Sequence, residues 1–146
     1  MTISTKEPGA AWHLWLVGAL AVIWNGYGCY DYFMTQTGNA DHLKAFSPEQ
    51  IDYWKGMPWW QHTAWAVGVW GGLLGAILLL LRKKLAVIAL LLSLAGLSVS
   101  IIYTFLLSNG YEVGGSGSVI LYGVLFAIAL GLWLYAKAMT SRGILR

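Results

Sequence analysis

Four long apolar runs separated by short polar breaks set the pattern of this chain: Trp12 to Met34, His62 to Leu81, Leu85 to Leu107 and Val119 to Ala136. Inside them there is no Lys, Arg or Glu, and Asp31, near the end of the first run, is the only acid. A helix needs about 20 mostly apolar residues to cross the hydrocarbon of a bilayer, with a workable range of roughly 17 to 25. All four runs fall in that range. If the chain were a soluble monomer, too little polar sequence would remain to cover them. The expected fold is therefore an all-α integral membrane protein, a four-transmembrane-helix bundle forming a single domain over residues 1–146, with no internal repeat.

The breaks carry the next layer of information. Residues 1–11 read as a short polar tail containing Pro8-Gly9. The triplet Ala19-Leu20-Ala21 resembles a signal-peptide cleavage site, but the apolar run continues on both sides of it and the residues before the run are only weakly basic, so an uncleaved span is expected. Between the first two runs, Ser47-Pro48-Glu49-Gln50 has the form of a helix start: a capping serine, a proline at the first helical position and a glutamine at the reciprocal capping position. A short helix is predicted from there to Gly56. It sets Ile51 and Trp54 on one side and Glu49, Asp52 and Lys55 on another, so it is expected either to lie as an amphipathic helix on the outer membrane surface or to be an ordinary loop helix. Runs two and three are joined by Arg82-Lys83-Lys84 alone, which demands a tight antiparallel hairpin. The segment SNGYEVGGSGS before the last run offers turns and flexibility, and it lacks the lysine and the strand-to-helix setting of a phosphate-binding loop.

Composition agrees: 58% of the residues are hydrophobic and only 10% charged, against about 25% charged in ordinary soluble domains. The net charge of +3 would suggest an anionic partner if the bases were spread over one soluble face. Instead they follow the breaks. With the N-terminus cytoplasmic, Lys6, Arg82, Lys83, Lys84, Lys137, Arg142 and Arg146 fall inside, and Lys44 and Lys55 outside. These make up all 9 Lys and Arg, and their asymmetry is that of the positive-inside rule. The expectation is a multi-pass protein of a bacterial inner membrane with both termini cytoplasmic, and no nucleic-acid partner.

In lipid, helices associate through close packing of small residues, since hydrocarbon already surrounds apolar side chains. The second run places Gly68 with Gly72 and Gly71 with Gly75. The third repeats Ala89, Ser93, Gly96 and Ser100, and the fourth Gly123, Ala127 and Gly131. Such stripes predict a compact bundle, and some of them are expected to face another protomer. The polar exceptions are in the stretch WNGYGCYDYF. At about 1.5 Å per residue, Asn25 falls near the bilayer midplane and Asp31 roughly 9 Å beyond it. An unpartnered amide at that depth is costly, so Asn25 is expected to turn toward another helix, with Ser93, Ser100, Tyr103, Thr104 and Tyr122 as partners, or toward a wet cavity. Asp31 either marks the end of the first helix or titrates at the mouth of a cleft. The candidate polar cleft comprises Asn25, Asp31, Tyr27 and Tyr103.

No metal site is expected from His42, His62, Met34 and Met57, which lack ligand spacing, and no cofactor. No serine has a base at hand, so no enzymatic activity is expected. The lone Cys29 is expected to pack, and most of the tryptophans to anchor at the interfaces.

The phrase WHLWLVGALAVIWNGYGCYDYFMTQT, followed by FSPEQIDYW, PWW and AWAVGVWGGLLGAILLLLRKK, resembles a group of small four-span bacterial inner-membrane proteins, some of which carry a loose sugar-transporter label. The resemblance covers most of the first 84 residues and implies a transporter-like role for a small solute. It brings no catalytic or binding residues with it. Two function classes follow: an oligomeric transporter presenting the polar cleft, or a noncatalytic accessory or assembly subunit of a larger membrane complex.

Overall fold

A computed structural model describes residues 12–146. Lys6, Glu7 and the Pro8-Gly9 pair lie outside the described residues. Those described form helices joined by turns, with no strand: α1 Trp12–Gln36, α2 Ala40–Leu43, α3 Pro48–Lys55, α4 Trp59–Leu80, α5 Leu85–Ile102 continued by a π-helical segment Tyr103–Leu107, and α6 Gly110–Ser141. Three of these stretches are long and apolar enough to cross a membrane: Trp59–Leu80, Leu85–Leu107 and Gly110–Ser141. With 25 residues, α1 is longer than two of these stretches, but it is the most polar of the four long helices, interrupted by Asn25 and Asp31.

The capping predicted for α3 is present in full. Ser47 Oγ accepts from Gln50 N at 3.2 Å, Gln50 Oε1 accepts from Ser47 N at 3.0 Å, Pro48 opens the helix and Gly56 closes it. The expectation for SNGYEVGGSGS needs correction. The helix α6 begins at Gly110, nine residues before the apolar run, and the chain bends at Gly115, whose φ of 69° only glycine adopts freely. The glycines supply one kink in a helix, because the backbone bonds of residues 110–118 have no better partner than the helix itself.

Three helices end in the same two-bond motif. After α1, Gly38 N donates to Thr35 O and Asn39 N to Met34 O. After α4, Arg82 N donates to Leu79 O and Lys83 N to Leu78 O, and after α6, Gly143 N donates to Thr140 O and Ile144 N to Met139 O. The residue that turns left-handed is glycine in the first and last (φ 69° and 72°), but arginine at position 82 (φ 57°). A left-handed arginine costs on the order of 1 kcal/mol, and it is held by the final residues: Arg146 N donates to Arg82 O, Lys84 N to Arg146 O, and Arg82 Nε to Ile144 O at 3.0 Å.

Packing centres on α4, which lies against α5 on one side and α1 on the other, while α6 packs on α5. Small residues make this possible. A Cβ added to Gly96 would sit 2.6 Å from Ala64 O and 2.9 Å from Gly68 N, so backbone meets backbone at the α4–α5 crossing. Ser93 Oγ donates to Gly68 O at 2.6 Å across the same interface. The start of α1, the Arg82–Lys84 turn and the end of α6 gather at one end of the molecule. There Leu14, Leu79, Ala86, Leu90, Ala136, Met139, Ile144 and Leu145 form a fully buried core, and His13 Nδ1 bonds Tyr135 Oη. This is the closed end. The other, carrying α2, α3 and the bend before α6, is the link end.

Candidate functional site

The polar residues of α1 reach the link end by different routes. Asn25 does not make the expected bond to another helix: its Nδ2 donates to Ala21 O, one turn back in α1, at 2.9 Å. Its amide oxygen fills the notch at Gly72, where any Cβ would meet it, with Ser93 Oγ close by. The small size of Gly72 thus leaves room for a side chain whose amide nitrogen bonds within its own helix. One turn beyond, Cys29 is buried and its thiol donates to Val69 O at 3.2 Å, as expected of a packing cysteine.

Asp31 has a partner that the pattern of the spans did not reveal. His42 of α2 folds back over the end of α1 and bonds Asp31 Oδ1 through Nε2 at 2.8 Å, with the imidazole only 12% and the carboxylate 35% exposed. The ring is wedged between Tyr30 and Phe46, with centroids 5.7 Å from each, and Phe46 in turn meets Trp54 of α3 edge-on at 4.8 Å. Asn39 positions α2 for this, its side chain accepting from His42 N at 3.0 Å. A charge-capable pair buttressed by aromatic rings fixes the link onto α1. A half-buried pair of this kind contributes about 1 kcal/mol.

Tyr27 and Tyr103 do not join Asp31. Tyr27 is 68% exposed and touches Tyr30 with centroids 6.3 Å apart. Tyr103 is buried at the start of the π-helical segment, where its ring packs on Trp60 and Tyr53. The predicted cleft thus divides in two. Around Tyr103 lies a second polar group: Tyr53 Oη bonds Ser108 Oγ at 2.8 Å, Ser108 Oγ also reaches Tyr103 O at 2.8 Å, and Thr104 Oγ1 donates to Tyr122 Oη at 3.3 Å. Ser108 satisfies carbonyls that the widened π turn leaves without their usual donors. Ser100 Oγ and Gln61 Oε1 are also buried, without a hydrogen-bond partner among the described residues.

The packing stripes also divide. Gly68, Gly71, Gly72, Gly75, Ser93 and Gly96 all meet atoms of a neighbouring helix, and Ser100 is buried in the same row. On α6, by contrast, a Cβ at Gly123 or Gly131 would meet nothing within 4 Å, and Ala127 between them is exposed.

Between the end of α1, α2, α3 and the start of α4 lies a cavity of about 280 Å³, lined by Thr35, Gln36, Thr37, Gly38, Leu43, Ile51, Trp54, Lys55 and His62. Gln36 Nε2 donates to His62 Nδ1 at 2.8 Å. Thr35 Oγ1 is buried with no partner among the described residues. Sequence reasoning missed this cavity, because its lining comes from four elements and only the fold brings them together. A search against protein-family models, curated proteins and solved structures finds no match to this chain.

Proposed function

We propose that this protein crosses the membrane four times, α1 included, and serves as a noncatalytic assembly unit that pairs through α6 with the α6 of a second copy. The observation that carries the reading is the contrast between stripes. The small residues of α4 and α5 are consumed by packing within the chain, while Gly123, Ala127 and Gly131 on α6 face away from it with nothing against them. A lipid-facing helix has no need of a small-residue row, because side chains of any size meet acyl chains equally well. A helix that must approach another does need one. The row is self-complementary, as a two-fold pairing requires.

Charge supports the four crossings. Arg82, Lys83, Lys84, Lys137, Arg142 and Arg146 gather at the closed end, and Lys44 and Lys55 at the link end, so the closed end is cytoplasmic by the positive-inside rule. The start of α1 belongs to the closed end and its finish to the link end. At about 1.5 Å per residue its 25 residues extend roughly 37 Å, enough to span. Asp31 then sits near the outer surface, where His42 partners it, and α3 lies at that surface.

The transporter alternative needs a polar route from Asp31 past Asn25 to the Arg82–Lys84 turn. Leu14, Leu79, Leu90 and Leu145, each at most 2% exposed, occupy that end, which favours the assembly reading. Gly123→Leu tests it: the oligomer or complex in mild detergent should dissociate while the melting temperature of the protomer stays within error. Crosslinks between cysteines at position 127, in a Cys29→Ser background, should form in native membranes, whereas cysteines at exposed Leu74 of α4 should not couple. Unchanged mass after Gly123→Leu, with no crosslink at 127, would refute the pairing. Crosslinks to a different polypeptide would replace the second copy by a partner subunit.

A further inference from the structure

Four basic side chains lie in the link between α1 and α4 and in the first turn of α4, and the structure sorts them into two kinds. His42 is engaged by Asp31 at 2.8 Å and Lys44 by Asp41 at 3.0 Å. The remaining two, Lys55 and His62, form no ion pair among the described residues, and both line the 280 Å³ cavity, whose lining contains no carboxylate. The nearby acids Glu49 and Asp52 border a different depression, formed with Tyr53, Asn109 and Val113.

We propose that this cavity is a binding site for a phosphate group, presented either on a glycerophospholipid headgroup or on a small soluble phosphate ester. Lys55 supplies the positive charge. His62 supplies an imidazole whose Nε2 its contact with Gln36, made through Nδ1, leaves available. Thr35, which also lines the cavity, has a buried hydroxyl with no hydrogen-bond partner among the described residues. With about 280 Å³ and an opening to solvent, the cavity has room for a phosphate with a glycerol unit. Leu43, Ile51 and Trp54 form its apolar wall, which suits the glycerol carbons and the start of an acyl chain.

The inference is independent of α6 pairing; only the lipid source of the phosphate requires a membrane. The test uses the full chain in nanodiscs and in detergent. Native mass spectrometry compares retention of phosphatidylglycerol with that of phosphatidylcholine, and calorimetric titration compares sn-glycerol phosphate with glycerol. The anionic lipid should be retained over the zwitterionic one, and Lys55→Gln should weaken its binding about tenfold, the loss of one charge-assisted bond worth about 1.4 kcal/mol. Lys55→Arg should keep most of it. Lys55 is exposed, so the melting temperature of both variants should match that of the parent. Binding of sn-glycerol phosphate as well would identify a site open to soluble esters, and binding of the lipid alone a headgroup site. Equal retention of the two lipids together with no binding of sn-glycerol phosphate, or affinity unaltered in Lys55→Gln, would overturn the assignment.

Discussion

Gly96→Val should force the α4–α5 crossing apart and lower the thermal midpoint of the extracted protein sharply. The position has no slack. The atoms a Cβ would strike are the carbonyl oxygen of Ala64 at 2.6 Å and the amide nitrogen of Gly68 at 2.9 Å, both backbone, so no rotamer change relieves the clash and the helices must part. Parting them also lengthens the Ser93 to Gly68 bond, now 2.6 Å, and loosens the Asn25 side chain from Gly72. Overpacking of a tight interface costs about 1 to 3 kcal/mol, and backbone on backbone places this case at the upper end. By comparison, the Ser93 bond contributes only about 0.6 kcal/mol, the average for polar contacts between membrane helices. Thermal unfolding in detergent, followed by circular dichroism, measures both. Gly96→Val should lower the midpoint far more than Ser93→Ala, and equal effects would show that the crossing is less tight than the geometry requires.

Leu145→Ala should be the next most damaging change, although it lies next to the final residue described. Leu145 is fully buried, in contact with a cluster drawn from α1, α4, α5 and α6. Truncating a side chain so placed costs about 2 to 5 kcal/mol. The loss reaches further than the cavity itself. The segment Ile144–Arg146 clamps the left-handed Arg82 through Arg146 N to Arg82 O and Arg82 Nε to Ile144 O, so loosening it releases the α4–α5 turn. Proteolysis at the Arg82–Lys84 turn in detergent should accelerate in Leu145→Ala and stay at the parent rate in Leu134→Ala, because Leu134 is an exposed residue of α6. Equal rates would separate the tail from the turn.

How much of this was legible in the sequence follows from what kind of information each feature needs. Helix positions come from runs of apolar residues, and the cap of α3 from four consecutive residues; both are local, and both are present. The tight α4–α5 turn was also legible, since Arg82-Lys83-Lys84 leaves no other connection. The start of α6 was misread because Gly and Ser lower helix propensity, yet each backbone amide still needs a partner and the helix supplies it. The candidate site was the least legible. Asn25 was assigned partners on other helices, when its own Ala21 carbonyl sits one turn away. The partner of Asp31 could not be read from the spans, which contain no Lys or Arg, because His42 arrives from the link. The cavity at Lys55 and His62 draws on residues from position 35 to position 62, and no pattern of spacing announces such a gathering. The stripe on α6 reads the same as those on α4 and α5; only packing shows that two are filled and one is open.

The account depends most on α1 crossing the bilayer as the fourth helix, since its composition is the least apolar. Single cysteines at Trp12, Asp52 and Arg146, each in a Cys29→Ser background, can be tested in intact cells with a membrane-impermeant maleimide. Labelling at position 52 alone, with positions 12 and 146 reached only after the membrane is permeabilised, is the predicted result. Labelling at positions 12 and 52 alike, with 146 protected, would mean that α1 stays on one side and that the chain crosses three times.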